Sequence, residues 1–507
     1  MIRRVTKIVS FIGIFIILIS IYHQVFCFKY TDGIYQMKKF YEEEKDSIDI
    51  VFLGSSHMFC NVSPSVLWKE YGIAGYALCG SGQPLWNSYY YMKEALKTQK
   101  PSLFVLDCYM AVALDKDYME EARIIQNNYG LNFSKDKINS IKASAPKETW
   151  TNYLLEYPTY HRRYMDLTKQ DFVSYYDTDF ADINMWKGQG LLTDINSQEK
   201  PQIEITENVA EISEKNETYL RKIIELSKEE KIPLVLIVVP YVVNMQAMER
   251  YNHVKEIADE YGIDYINFNY YYEDMRLDFS MDYRDSVHMN YMGSEKFTRY
   301  LVDYLKKDFA LKDHRDENSK EYCSYDTMVQ YYDQYIYNAE LRNTIDLQSY
   351  MSKLQNEHYV TVFSVVGDYK SVSNYAELKK VFGLYGINLD EAEGNEAWAV
   401  HNGDILFTTN GNREYCWHKE MSKYNTLTIQ SKLDEVEDIN GSIQAGGSIP
   451  REVLASTKTL PEVMINSSPY NSVNNGLNVL TYDLLTDTIV EYKGFAICGD
   501  EISYNKQ

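Results

Sequence analysis

Three short stretches of the sequence contain residue types that can perform serine chemistry. In "IVFLGSSHMF", residues 50–59, four apolar residues lead into a small polar turn that holds Ser56. In "DSVHMNYMG", residues 285–293, Asp285 precedes His288 by three positions. A carboxylate at that spacing can hold one imidazole nitrogen, while the other nitrogen takes the proton of a serine hydroxyl. The two stretches predict a nucleophile, a base and an orienting acid.

The third stretch, "YALCGSGQPL" at residues 76–85, has Gly80 and Gly82 on either side of Ser81. Glycine lets a backbone N–H approach a substrate oxygen closely, as an oxyanion hole requires. We therefore expect the N–H groups of Ser56 and Gly82 to receive the oxyanion. Each stretch alone also fits ordinary turn chemistry. The prediction depends on all three lying together at strand ends.

Short apolar runs alternate with amphipathic segments from residue 48 to about 305. Nearly continuous apolar runs rich in β-branched residues are typical of strands covered on both faces of a parallel sheet. Such alternation predicts an α/β fold with a doubly wound parallel sheet, in which ligand sites lie at the carboxyl ends of the strands. Residues 109–210 lack a clear strand and predict a helical insertion over one end of the sheet. The predicted strands are 48–54, 72–80, 102–108, 233–240 and 264–268.

With these elements, residues 48–305 resemble the SGNH (GDSL-type) hydrolase superfamily. The first block of that family matches residues 54–56, with Ser56 as the nucleophile, and its second-block oxyanion glycine matches Gly82. The fifth block, D-x-x-H, matches Asp285 and His288. The resemblance implies a flavodoxin-like sheet and a serine esterase or O-acyltransferase that needs no cofactor.

Two positions depart from that family. Ser55 stands where aspartate is usual, as in membrane-anchored relatives such as D-alanine-transfer proteins and alginate O-acetyltransferase subunits. Those relatives imply a cell-surface glycan substrate and a multispanning membrane acyltransferase as partner. The third-block asparagine is missing, because the third apolar run ends in Asp107. Loss of one oxyanion donor costs about 10² to 10³ in rate. Either the insertion supplies a substitute, or the enzyme is slow, or the domain is an inactive scaffold that binds glycans.

Three further residues are candidates for substrate binding. His57 follows the nucleophile directly, although its side chain should point away from Ser56, as in an ordinary loop residue. Arg162 and Arg163 in "YHRRY" would suit a carboxylate or phosphate over the site. The alternative for both arginines is a solvated helix face.

The N-terminus predicts a membrane segment. Arg3, Arg4 and Lys7 precede an uncharged apolar stretch, residues 8–28, whose length matches a bilayer-spanning helix. The flanking positive charge favours a cytoplasmic N-terminus, which leaves most of the chain extracellular. We interpret residues 1–29 as an uncleaved signal anchor in the cell membrane. A cleaved signal peptide is the alternative.

Composition excludes some classes of function. The formal net charge of −22 argues against nucleic-acid binding, which depends on Lys and Arg. The seven cysteines lack zinc-site spacing, so no metal site is expected. Cys323, Cys416 and Cys498 are the candidates for any disulfide.

The pattern changes beyond the SGNH-like domain, which we assign to residues 30–310. A charged segment within residues 311–356 predicts a linker, followed by a helix. Residues 357–507 predict an α+β, β-rich domain with a hairpin in "GLNVLTYDLLTDTIVEYKGF". This domain is similar to the interleukin-like EMT-inducer domain, which in turn resembles a lectin-like stem, so the resemblance implies glycan binding. Trp398 and Trp417, with His401, are candidates for a sugar platform, and core packing is the alternative for each tryptophan.

Overall fold

The computed structural model describes residues 2–29, 31–167, 169–172, 183–316, 320–392, 394–409, 414–433, 459–470, 473, 475–499 and 501–504. Contacts divide the chain into two compact units, Met1–Gln330 and Tyr331–Gln507. The division falls inside the region predicted to hold a linker and a helix.

The first unit contains a five-stranded sheet. Its strands are β1 (Ile50–Leu53), β2 (Gly75–Ala77), β3 (Leu103–Asp107), β4 (Leu234–Val238) and β5 (Asp264–Asn267). They run parallel in the order β2-β1-β3-β4-β5, and each lies within one of the predicted apolar runs. Along β1, Val51 and Leu53 point into one hydrophobic core, whereas Ile50 and Phe52 point into another. Because both faces are buried, the strands read as unbroken apolar runs, and the predicted α/β fold with a parallel sheet is confirmed.

Helices cover both faces of this sheet. One face packs against α2, α5, α11 and α12, and the other packs against α13 and the turn Leu67–Tyr71. The helices are α1 (Ile2–Phe26), α2 (Ile34–Phe40), α3 (Ser56–Phe59), α4 (Pro64–Val66), α5 (Leu85–Ala95), α6 (Tyr109–Ala113), α7 (Glu121–Asn128), α8 (Lys135–Ser144), α9 (Trp150–Leu155), α10 (Tyr157–His161), α11 (Glu214–Glu230), α12 (Met245–Tyr261) and α13 (Tyr291–Leu305).

Helix α1 stands apart in composition. Its segment Arg4–Phe26 has a mean hydropathy of 2.3 and is long and apolar enough to cross a membrane.

The insertion between β3 and α11 contains α6 to α10 and 3₁₀ turns at Lys147–Thr149, Arg162–Met165, Lys169–Phe172 and Ile183–Gly188. Residues 168 and 173–182 of the insertion lie outside the described residues. Side chains from α7 to α10 pack around the end of α1 and the residues that follow it.

The charged segment predicted as a linker begins as part of the first unit. His314 is buried, and its Nε2 lies 3.1 Å from Oδ1 of Asp49, next to the amino end of β1. Arg315 donates hydrogen bonds to the carbonyls of Lys69 and Glu70. His314 and Arg315 therefore attach this segment to the first unit, although most of residues 312–316 are exposed. A 3₁₀ turn (Lys320–Tyr322) and helix α14 (Cys323–Asn343) follow.

The second unit contains two antiparallel sheets. Strands pair in the order β15-β14-β13-β6-β7-β8 in one sheet and β12-β11-β10-β9 in the other. The predicted hairpin is confirmed, because β13 and β14 pair directly. The elements are α15 (Leu347–Lys353), β6 (Tyr359–Val366), α16 (Tyr375–Gly383), β7 (Glu396–His401), β8 (Asp404–Thr408), β9 (Cys416–Glu420), β10 (Thr426–Leu433), β11 (Thr459–Ile465), β12 (Ser468–Pro469), β13 (Gly476–Asp483), β14 (Thr488–Cys498) and β15 (Glu501–Tyr504).

Candidate active site

The turn after β1 presents Ser56. Gly54 has φ of +151°, and a Cβ there would lie 3.0 Å from Cβ of Met58 and 3.1 Å from Cβ of Asp107. Only glycine fits this close turn without strain. Ser55 is extended, and its Oγ accepts the N–H of His57 at 3.3 Å, which caps the short helix α3. Ser56 is therefore the first residue of α3, at the carboxyl edge of the sheet.

A tight turn before α13 fixes the orientation of Asp285. Its Oδ1 accepts the N–H groups of Val287 and His288, each at 2.9 Å. The turn closes where the N–H of Arg284 donates to the carbonyl of His288 at 2.9 Å. Nδ1 of His288 then lies 3.0 Å from both carboxylate oxygens of Asp285. This arrangement holds the ring so that its other nitrogen faces away from the carboxylate.

The two turns meet. Nε2 of His288 lies 2.9 Å from Oγ of Ser56, so the structure joins Ser56, His288 and Asp285 in one hydrogen-bonded chain. Asn61, which is buried, holds the turns together: its Oδ1 accepts the N–H of Met289 at 2.7 Å, and its Nδ2 donates to the carbonyl of Val287 at 3.2 Å. Side chains more than two hundred residues apart are thus held in contact by a polar clamp.

The residues after His288 start helix α13 in a defined position. Oδ1 of Asn290 accepts the N–H groups of Met292 and Gly293, which caps the helix. A Cβ on Gly293 would lie 2.5 Å from the carbonyl oxygen of Asp282. The glycine therefore allows α13 to pack closely against the turn that carries Asp285.

Burial and hydrogen bonding set the charges of the pair. Burial lowers the pKa of His288 below its usual value, and the contact with Asp285 only partly offsets that effect. Electrostatic interactions with His57 and Arg284 lower the pKa of His288 further. Burial by itself would raise the pKa of Asp285, but hydrogen bonds from His288 and from the N–H of Val287 bring it below its usual value. At neutral pH the imidazole is free to accept a proton beside an ionised carboxylate.

The loop after β2 carries the predicted oxyanion glycine. Gly80 to Gln83 form a turn closed by a 3.0 Å hydrogen bond, and Gly82 has φ of +58°, which favours glycine. Among the described residues, nothing accepts a hydrogen bond from the N–H of Ser56 or of Gly82. Both predicted oxyanion donors are thus unoccupied by protein acceptors.

The insertion reaches this loop through Asn127 of α7. Its Nδ2 donates to the carbonyls of Ser81 and Arg123, at 3.1 and 2.9 Å, and the side chain is fully buried. Oγ of Ser81 also donates to Asp32 at 2.9 Å. Asn127 therefore holds the loop that carries Gly82 against α7. Its amide nitrogen is already committed to these carbonyls, so it does not replace the missing third donor.

Asp107 is at the position where SGNH hydrolases usually have the third-block asparagine. The partner of its carboxylate is a histidine. Its Oδ2 lies 2.8 Å from Nδ1 of His57, and neither side chain is exposed to solvent. The His57 ring stacks on Tyr109 and meets Tyr241 edge-on. The side chain of His57 is thus fully buried against Asp107, Tyr109 and Tyr241, whereas the sequence predicts an ordinary loop residue. Its Nε2 is buried with no partner among the described residues.

The chain matches no model of a known protein family, and no curated protein matches it. Within the described ranges, no three His, Cys, Asp or Glu side chains are grouped so that they could hold a metal ion. The geometry of the Ser56 site is therefore the main guide to function.

The arginines of "YHRRY" have partners elsewhere. Arg163 donates to the carbonyls of Phe26 and Cys27 at the end of α1 and pairs with Asp171 at 2.6 Å. Carbonyls at a helix end lack intrahelical partners, which explains why a guanidinium is held there. Arg162 pairs with Glu121 at 3.2 Å and is mostly exposed. The contacts described for the two arginines do not include Ser56, Asp285 or His288.

The tryptophans of the second unit do not form one platform. Trp398 is only 5% exposed and packs edge-on against Phe382 in the core beneath the six-stranded sheet. Trp417 stacks on Phe407 in a different cluster, between the two sheets. For Trp398, the structure shows the alternative expected from the sequence, which is packing in the core. The structure joins no two cysteines in a disulfide, the three candidates included.

Proposed function

We propose that this protein is a serine-dependent acyl-ester enzyme whose nucleophile is Ser56. One observation carries the proposal: Oγ of Ser56 is 2.9 Å from Nε2 of His288, while Nδ1 of that ring is 3.0 Å from both oxygens of Asp285. Such a chain lets a neutral imidazole take a hydroxyl proton while a fixed carboxylate stabilises the imidazolium. The resemblance to SGNH hydrolases, stated from the sequence, agrees with these roles.

The reaction proceeds in two steps. Oγ of Ser56 attacks the ester carbonyl carbon, its proton moves to Nε2 of His288, and the N–H groups of Ser56 and Gly82 receive the oxyanion. The alcohol leaves with the proton from His288, and an acyl-serine remains. Water or a sugar hydroxyl then attacks the carbonyl carbon of the acyl-serine and loses its proton to His288. The bond to Oγ of Ser56 breaks, and His288 returns the proton to Oγ. Water makes the enzyme an esterase, and a sugar hydroxyl makes it an O-acyltransferase.

The setting proposed for this chemistry is the outer surface of a cell membrane. The segment Arg4–Phe26 serves as the anchor, with most of the chain outside. The substrate class proposed is an acyl ester of a cell-surface polysaccharide, with a multispanning membrane acyltransferase as the partner that supplies or receives acyl groups. These assignments follow the resemblance to anchored acyl-transfer proteins.

The test compares two neighbouring serines in the full-length chain. Release of p-nitrophenol from p-nitrophenyl acetate is measured for the parent, for Ser56→Ala and for Ser55→Ala. Oγ of Ser55 caps α3, and none of the described hydrogen bonds joins it to His288, so its loss costs about 1 kcal/mol of stability and leaves most activity. Ser56→Ala is expected to lose at least about 10³-fold in rate. Parental activity in Ser56→Ala would contradict the proposal.

A labelled acyl donor separates hydrolysis from transfer. In the presence of an oligosaccharide with free hydroxyls, transfer moves the labelled acetyl group onto the sugar, whereas hydrolysis releases labelled acetate. Both products must disappear in Ser56→Ala, because both reactions pass through the same acyl-serine.

One observation favours a second candidate, an inactive scaffold that binds glycans. The position of the usual third oxyanion donor is occupied by Asp107, whose carboxylate is paired with His57. A chain that is inert towards acyl esters, yet binds an extracellular polysaccharide, would support this candidate. Glycan binding would then have to use residues other than the buried Trp398.

A further inference from the structure

Large apolar side chains are exposed on the insertion where it meets the end of α1. We call this set the apolar ridge. Its members are between 38% and 78% exposed to solvent, which is unusual for residues of this size grouped within eighteen positions of one chain. They are Leu155, Tyr157, Tyr164, Met165 and Phe172.

The apolar ridge is bound directly to α1. The ring of Tyr157 stacks on Tyr22 with 5.2 Å between centroids. Tyr22 lies four residues before the end of α1, about 6 Å along the helix axis. Tyr157 is therefore beside the last turn of the segment that is apolar enough to cross a membrane, not beyond it. A bilayer that covers α1 up to its last turn therefore comes level with this side chain.

Hydrogen bonds and ion pairs of charged side chains hold the other members of the apolar ridge beside the end of α1. Arg163 donates to the carbonyls of Phe26 and Cys27, and its guanidinium lies 4.8 Å from the centre of the Phe28 ring. Asp171 accepts from Arg163 through its carboxylate and from Lys29 through its carbonyl. These bonds tie the 3₁₀ turns Arg162–Met165 and Lys169–Phe172 to residues 26–29. The exposed ends of the two turns, Met165 and Phe172, are thus fixed beside the membrane helix.

From this geometry we infer that the apolar ridge lies in the lipid interface as a second membrane attachment beside α1. The inference rests on the membrane anchoring proposed above. Aromatic and long apolar side chains are the residues that settle at the headgroup level, and their binding scales with buried apolar area. The five side chains of the apolar ridge carry no charge, so their attachment depends on buried apolar area rather than on attraction to anionic lipids. It therefore persists at high salt and in zwitterionic phosphatidylcholine.

The attachment also sets where the Ser56 site works. Asp32 is six positions after Phe26, so the two residues are at most about 20 Å apart. Asp32 accepts the hydroxyl of Ser81 in the oxyanion loop, and the backbones of Gly33 and Gly80 are in close contact. Two attachments hold this loop near the bilayer surface. The ester that reaches Ser56 is therefore one presented at the membrane surface rather than far out on a polymer.

Depth-dependent quenching in vesicles tests the apolar ridge. The full chain, with Cys323→Ser, Cys416→Ser and Cys498→Ser to remove exposed thiols, is reconstituted in phosphatidylcholine vesicles that contain spin-labelled lipid. A polarity-sensitive fluorophore is attached to Met165→Cys or to Phe172→Cys. Both positions are exposed, so the label does not disturb the core.

Two control positions calibrate the signal. Ile21→Cys marks the exposed surface of α1, and Glu230→Cys marks the end of α11 at the amino edge of the sheet, opposite the oxyanion loop. The inference predicts that probes at 165 and 172 are blue-shifted and quenched like the probe at 21, at low and at high salt. If the probe at position 21 is quenched while the probes at 165 and 172 behave like the probe at 230, the membrane attachment of the apolar ridge is overturned. The proposal that α1 is the anchor then remains intact. Absence of quenching at all four positions overturns the anchor and the apolar ridge together. Neither result bears on Ser56 chemistry, which the ester assay measures.

Discussion

Asp285→Asn should disable the base without disturbing its surroundings. An asparagine oxygen can still accept the N–H groups of Val287 and His288, so the turn before α13 keeps its shape. The new NH₂ group, however, would donate to Nδ1 of His288 and force the proton of the neutral ring onto Nε2. A protonated Nε2 cannot take the proton of Ser56. The fold should therefore survive while the proton transfer fails.

The size of the effect follows from the lost tautomer. A wrong tautomer in such a chain costs about 10⁴ in rate, which corresponds to about 5.5 kcal/mol of transition-state stabilisation. The residual activity should also change its pH dependence. The hydrogen bond and charge of Asp285 raise the pKa of His288, which burial lowers. Their removal lowers that pKa further. Because the neutral ring is the active form, the acid limb of kcat/KM moves to lower pH.

The assay is the pH profile of kcat/KM for p-nitrophenyl acetate hydrolysis, which reports the ionisation of the free enzyme. For the parent chain, activity should rise with pH to a plateau, with its midpoint below about pH 6.5. Circular dichroism confirms that the Asp285→Asn variant is folded. Activity within tenfold of the parent, or an acid limb displaced to higher pH, would show that Asp285 does not orient His288 as described.

Three further substitutions test the supports of the site. Asp107→Leu leaves the buried ring of His57 unpaired, so denaturant unfolding of the first unit should lose about 3–5 kcal/mol; an unchanged midpoint would mean that the pair carries no stability. Asn61→Leu removes both bonds of the clamp, and we expect unfolding to lose about 2–3 kcal/mol and kcat to fall; a stability loss with unchanged kcat would show that the clamp does not position His288. Gly82→Ala strains a φ of +58° by about 1–2 kcal/mol and displaces an oxyanion donor; kcat should drop about 10²-fold or more, and parental kcat would exclude Gly82 from the oxyanion hole.

The sheet was predictable because its strands are buried on both faces. Unbroken apolar runs such as Ile50–Leu53 and Leu234–Val238 leave little alternative to a covered parallel strand. Since parallel strands end at the same edge, the positions of Ser56 and Gly82 followed from the strand pattern. Asp285 and His288 were found through their own spacing and a known motif. That Ser56 and His288 lie within hydrogen-bonding distance was a separate prediction, and the structure places Oγ and Nε2 2.9 Å apart.

Pairings across long sequence separations were not predictable in this way. His57 and Asp107 are fifty residues apart in the sequence, and this spacing does not predict that their side chains form a buried contact. The clamp of Asn61 on the turn near His288 is likewise a product of packing. One signal was available for Asp107: a charged residue at the end of a buried strand needs a partner, and the imidazole of His57 is chemically suited to be one.

From the sequence alone, an arginine that binds a ligand could not be distinguished from an arginine that binds the carbonyl groups at the end of a helix. Arg163 caps the carbonyls of α1, a role that depends on where the insertion folds back. Trp398 is core rather than surface because its side chain packs against Phe382 of α16 on the covered face of the sheet. In both cases an aromatic or cationic residue type suggested binding, and tertiary packing decided otherwise.

Covalent labelling by a fluorophosphonate probe tests most directly whether His288 activates Ser56. The full-length chain is treated with the probe, and the modified residue is located by mass spectrometry of its peptides. The account predicts one adduct on Ser56, lost in Ser56→Ala and strongly slowed in His288→Ala, with Ser55→Ala labelled like the parent. Equal labelling of the Ser56→Ala chain, or no reaction of the folded parent, would contradict it.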